Sequence, residues 1–168
     1  LGALINLDDI TMIDFLAENG PLPEWICLRY NPGPLLKSGN DIIGKPEEAK
    51  YGMTREQIFE AVSGLCKKGV RHFGLHTMVV SNELDVKGLI NTARMMFELA
   101  VEVQTKLGVA VEFLDFGGGI GVPYRPEESF VDYDVLSNMK RLCFPRALTR
   151  SAFLLNVAAL LRDLTDIL

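Results

Sequence analysis

Apolar positions along the chain fall into four short, nearly continuous runs separated by stretches in which they recur every three or four residues. Ala3-Leu4-Ile5, Trp25 to Tyr30, the middle of Val70 to Val80, and Val109 to Phe116 have strand length and predict four strands buried on both faces. Helical spacing fills the intervals. Asp8 and Asp9 stand as N-cap candidates before Ile10, Ile13, Phe15 and Leu16, a helix ending near Gly20. Thr54 and Gln57 have capping-box spacing, and Ile58, Ala61, Val62 and Leu65 carry that helix to Gly69. Val86, Leu89, Ile90, Ala93, Phe97, Ala100, Val101 and Leu107 predict a long amphipathic helix that Gly108 stops. Pro21 with Pro23, and Asn31-Pro32-Gly33-Pro34, punctuate the chain, and a long polar loop runs on to about Met53.

Strand and helix in strict alternation argue an α/β fold with a parallel sheet, its crossovers made by helices. About four such βα units amount to half of a (β/α)8 barrel, the TIM barrel, in which every loop after a strand lies on one rim. Asn31, the segment after His76 and the Gly117–Gly119 loop would share that rim. His76, Met78 and Val80 alternate on the third strand and so point to one face, with Ser81 at the strand end. Residues 1–140 form the barrel unit in this reading. Residues 141–168 are left unassigned as a helical tail, since Cys143-Phe144-Pro145-Arg146 interrupts a helix start and the rest is a generic amphipathic pattern with no strand before it.

Composition narrows the function classes. The 168 residues are 48% hydrophobic with a formal net charge of −5, enough apolar material for one cored unit and the wrong sign for nucleic acid. Neither an apolar run of the roughly 18 residues that span a membrane nor a signal-peptide layout is present, and a cytoplasmic setting is expected. Cys27, Cys66 and Cys143 are widely spaced and odd in number, which predicts reduced packing residues and no metal site. Because Leu1 sits inside an apolar segment with no initiator Met, the chain reads as a fragment.

The most chemically informative run is Leu114 to Tyr124, where a strand empties into Gly117-Gly118-Gly119. Successive glycine amides can converge on a phosphate, and Cβ atoms would obstruct that approach. A ligand-free glycine turn is the competing reading. A dinucleotide fingerprint fits less well, because Pro123 and Pro126 stand where its helix would begin. His76 reads either as a satisfied core histidine or as a site residue, and Arg29 either as a rim ion pair or as a cofactor or substrate contact, with Asn31 and Tyr124 of the same standing.

Four ordered motifs tip these balances. Arg29-Tyr30-Asn31-Pro32-Gly33, Lys50-Tyr51-Gly52, the run Gly74 to Leu84 and the run Gly117 to Glu127 resemble the diaminopimelate decarboxylases over about residues 1–140. These are pyridoxal 5′-phosphate enzymes of the alanine-racemase-like barrel type, and the resemblance implies that fold, that cofactor, a meso-diaminopimelate substrate, L-lysine as product and a homodimeric parent. It implies phosphate-binding amides at Gly117, Gly118 and Gly119, a phosphate-binding hydroxyl at Ser81, and a cofactor ring lying against the strand of His76. The commoner family pattern is G-L-H-x-H-x-G-S; Met78 and Val80 take the places of its second histidine and its glycine, so either His76 or Met78 would meet the ring. The family's Schiff-base lysine lies in a Tyr-x-x-Lys-Ala-Asn strand, which this sequence lacks, and Lys50 is not in that context. No catalytic residue is therefore assigned, and the chain alone is expected to be inactive. Ornithine, arginine or carboxynorspermidine decarboxylases share the barrel and the glycine loop and remain alternatives, as does a non-catalytic homologue that binds a partner.

Overall fold

A computed structural model describes residues 4–33 and 51–136. The order is β1 (Ile5–Leu7), α1 (Met12–Asn19), β2 (Trp25–Arg29), α2 (Arg55–Lys67), β3 (His72–His76), α3 (Val86–Leu107) and β4 (Val111–Asp115). All neighbouring strands are parallel and lie in the order β1-β2-β3-β4. Among the described residues no helix is long and apolar enough to cross a membrane.

The helix signals behave as the spacing predicts for α2 and α3. Thr54 and Gln57 complete a reciprocal capping box, and Gly108 takes the left-handed conformation (φ 68°) that ends α3. The start of α1 differs. Asp9 spends its carboxylate on the Thr11 amide and hydroxyl (2.8 and 2.6 Å), forming a turn, and the helix begins only at Met12. β1 is likewise shifted from the predicted Ala3-Leu4-Ile5, because its pairing with β2 sets Ile5 opposite Ile26 and Leu7 opposite Leu28.

The middles of β2 and β3 are buried on both faces, as their continuous apolar runs predict: Ile26, Cys27 and Leu28 are buried in succession, as are Phe73, Gly74 and Leu75. Leu7, Ile26, Leu28, Phe73, Leu75 and Leu114 share a single core with Ile13, Ile58, Val62, Leu65, Met96 and Phe97 of the helices. The opposite face carries Asn6, Trp25, Cys27, Arg29, His72, Gly74 and His76, the alternate positions of the same strands. It is the inner face of a barrel wall.

One irregularity shapes that inner face. Phe73 pairs with Val111 but Gly74 pairs with Phe113, so Glu112 is an extra residue in β4. The bulge lets Val111 and Leu114, three residues apart, both enter the core. It also turns Phe113 over Gly74, where an added Cβ would lie 2.0 Å from the ring. The expected outcome of Gly74→Ala is a loss of about 1–3 kcal/mol in denaturant unfolding, and adding Phe113→Leu in the same chain should recover part of it.

Candidate functional site

Parallel pairing brings the ends of all four strands to one edge, and the candidate residues gather there. Arg29 and His76 are register partners at the ends of β2 and β3, and His76 pairs in turn with Asp115 at the end of β4. Arg29 forms an ion pair with Asp8 at 2.9 Å and lies 5.4 Å from the centre of the Tyr51 ring. The His76 Nδ1 is 3.1 Å from the Asn6 amide nitrogen. Asn6 and Asp115 thus belong to the rim without having been singled out in the sequence, and Asp8, expected there as a helix cap, instead pairs with Arg29; the alternation of Asn6 between Ile5 and Leu7 was the available sign.

Burial holds the His76 imidazole below its ordinary value of 6.5. Asp115 and Asp8 pull it upward and Arg29 downward, and the net direction is down, so the ring is neutral near pH 7. Burial, reinforced by Asp115, pushes the Cys27 thiol up to about 12, and this inner-face cysteine is therefore no nucleophile.

Beyond the strands, two loops are sewn together. β3 ends at His76, so Met78 and Val80 do not continue its alternation as predicted; a register partner is lost once β4 turns into glycines. Instead Thr77 is fully buried, its amide donating to the Asp115 carbonyl (3.0 Å) and its hydroxyl to the Tyr30 carbonyl (3.0 Å). The loop then runs beside the glycine segment. The Glu83 amide donates to the Gly119 carbonyl and the Gly121 amide to the Glu83 carbonyl, each at 2.8 Å, while the Val122 amide donates to the Asn82 side chain at 2.9 Å. Ser81 lies within this sewn loop.

The glycines divide by what surrounds them. A Cβ on Gly117 would meet the Thr77 carbonyl at 2.7 Å and the Met78 sulfur at 2.8 Å; one on Gly119 would meet the Val80 carbonyl at 2.2 Å. Both have positive φ (67° and 80°). Their glycine requirement comes from the chain's own neighbouring loop rather than from the approach of a ligand. Gly118 differs, with nothing within 4 Å of its Cβ direction. The Gly117 amide is already donated to the Asp115 carboxylate at 2.8 Å. The amides of Gly118 and Gly119 make no hydrogen bond to another described residue, and this apex is the part of the loop that fits an anionic group.

Other candidates stand apart. Tyr124 is 83% exposed, and the Asn31 side chain accepts from the Gly33 amide at 2.9 Å within its own turn. Lys50 and Cys143 lie outside the described residues.

Parallel strands joined by helices, with a half-buried histidine and an open glycine turn at the same edge of the sheet, define a βα unit whose polar groups gather at the strand ends. A family model described as "pyridoxal-dependent decarboxylase, pyridoxal binding domain" matches residues 3–146, and the chain belongs to this family, whose cofactor is pyridoxal phosphate. Among curated relatives it is similar to the diaminopimelate decarboxylase of Methanothermobacter thermautotrophicus, 30% identical over 79% of this chain and 31% of the relative. Protein TabA of Pseudomonas amygdali pv. tabaci is 26% identical over 86% of this chain and 34% of its own length. The chain spans about a third of these relatives (34% and 31% of their lengths). A solved diaminopimelate decarboxylase from M. jannaschii, in complex with L-lysine, has the same fold, with a TM-score of 0.67 at 20% identity over 84% of this chain and 35% of that one. Arginine and lysine decarboxylases also match in fold. The partial barrel expected from the strand–helix alternation is thereby established.

Two outcomes are expected. Gly119→Ala should destabilise the chain by about 1–3 kcal/mol in denaturant unfolding, while Gly118→Ala should stay within about 1 kcal/mol, because only the first collides. With its folded pKa below the unfolded value, His76 contributes stability that is full above about pH 6.5 and is lost as pH falls through the folded value. Thermal unfolding should therefore decline less between about pH 7 and pH 5 in His76→Gln than in the parent chain.

Proposed function

We propose that this chain forms the phosphate-holding and ring-supporting part of a pyridoxal-phosphate site in an amino-acid decarboxylase, with meso-diaminopimelate as the substrate and L-lysine as the product. The observation that carries the reading is the open Gly118 apex, three residues past Asp115, the register partner of His76 at the same rim. The amides of Gly118 and Gly119 receive the phosphate, the Ser81 hydroxyl adds a donor from the sewn loop, and Gly117 shapes the turn with its own amide committed to Asp115. His76 meets the cofactor ring. Met78 is the weaker candidate, since its sulfur is packed against Gly117. Arg29, fixed by Asp8, lends positive charge at the rim.

When bound, the cofactor supplies an electron sink for the pair released as CO2 departs. This chain's residues anchor and orient it. The lysine that tethers the cofactor in the resembled enzymes has no matching motif here, so the complete site draws on further protein, and these 168 residues alone do not decarboxylate. The parent is a homodimer acting in the cytoplasm. A second reading keeps the chemistry and changes the substrate to another basic amino acid such as arginine or ornithine; the shared fold of arginine and lysine decarboxylases favours it.

Titrating the full chain with pyridoxal phosphate, followed by absorbance, tests the proposal. Saturable binding is expected without a borohydride-trapped lysine adduct. Gly118→Asp should weaken it at least about tenfold by placing a carboxylate against the phosphate; an unchanged affinity in that variant would place the phosphate elsewhere.

A further inference from the structure

The inner face carries one hydrogen bond that crosses an entire strand. Asn6 belongs to β1 and His76 to β3, two inter-strand steps of about 4.8 Å each apart, yet their side chains meet at 3.1 Å. Two features allow this. Asn6 pairs with Cys27, a small inner-face residue that leaves room above β2, and Cys27 pairs with Gly74, which has no side chain to intervene. His76 stands two residues beyond Gly74, on the same face and nearer the rim.

We propose that Asn6 is a positioning residue that holds His76 as the neutral Nε2–H tautomer, presenting an uncharged ring and a single N–H donor to the cofactor. The proposal rests on the reading above that His76 meets the cofactor. Its chemistry follows from the donor. A carboxamide NH2 has no lone pair to offer, so the Nδ1 it faces must be the acceptor, and a neutral imidazole that accepts at Nδ1 carries its proton on Nε2. Protonating the ring would set an N–H against the Asn6 NH2 and break the bond.

The charged groups around His76 agree. Arg29 faces it from β2, Asp115 from β4, and Asp8 from the turn after β1. Asp8 is engaged by Arg29 and Asp115 accepts the Gly117 amide, so each carboxylate already has a donor other than the imidazole. A neutral ring also suits its task, because an imidazolium would repel a protonated cofactor ring and oppose its uptake of electrons.

Long-range 1H–15N spectra of the 15N-labelled full chain read the tautomer directly, without cofactor and without activity. The parent chain should show His76 protonated at Nε2. Asn6→Asp, which can only accept, should move the proton to Nδ1 and raise the His76 titration midpoint by about one pH unit. Asn6→Leu should leave a mixture of tautomers, and the signals of His72 should stay in place in both variants. An Nδ1–H tautomer in the parent chain, or a His76 tautomer and midpoint untouched by either substitution, would overturn the proposal. Pyridoxal-phosphate titrations of the same variants separate the two readings: a switched tautomer with unchanged cofactor affinity would uphold the role of Asn6 and remove His76 from the cofactor contact.

Discussion

Parallel pairing obliges every strand in this sheet to finish at the same edge, and the loops that leave β3 and β4 have no choice but to start side by side. That constraint is made specific by the pairing of His76 with Asp115 and by the Thr77 amide that extends the ladder one step further. Past this point the two segments cannot both remain strands, since Gly117 leaves the extended conformation with a positive φ. They stay together through the short ladder of Glu83 with Gly119 and Gly121. The glycine apex is thus built by its neighbour loop. Gly117 and Gly119 let two backbones touch, and the exposed Gly118 between them is left to face outward.

Much of this architecture is legible in the amino-acid order because local signals and tertiary needs coincide. Thr54 with Gln57 and Gly108 mark helix ends through bonds and angles that any helix needs, so sequence spacing suffices to locate them. Strand limits depend on partners. Met78 and Val80 have the right alternation to prolong β3, and only the loss of pairing beyond Asp115 prevents it. The same limit applies to the covered faces: a continuous apolar run does not reveal that Trp25 and Cys27 line a barrel interior while Ile26 and Leu28 meet helices.

The rim residues divide along a similar line. His76, Ser81, Arg29 and the glycines stand in recognisable runs, whereas Asn6 comes from a short strand and Asp8 from the turn after it, with no motif of their own. Asn6 becomes informative only when β1 is laid beside β2 and the inner face curves, because its partner is seventy positions away. Gly117 and Gly118 look equivalent in the sequence, yet one amide is turned back onto Asp115 and the other is open. Conformation separates what composition cannot.

The Phe113 ring lying over Gly74 has a consequence for the two histidines of β3. His72, stacked on Trp25 at 4.7 Å and held by Glu112 at 2.6 Å, lies on one side of that ring, and His76 lies on the other. The ring fills the space on this face that a side chain at Gly74 would otherwise take, between the two histidine positions. Four residues apart on a single strand, the histidines keep separate ionic surroundings, Glu24 and Glu112 beside His72 and Arg29, Asp8 and Asp115 around His76.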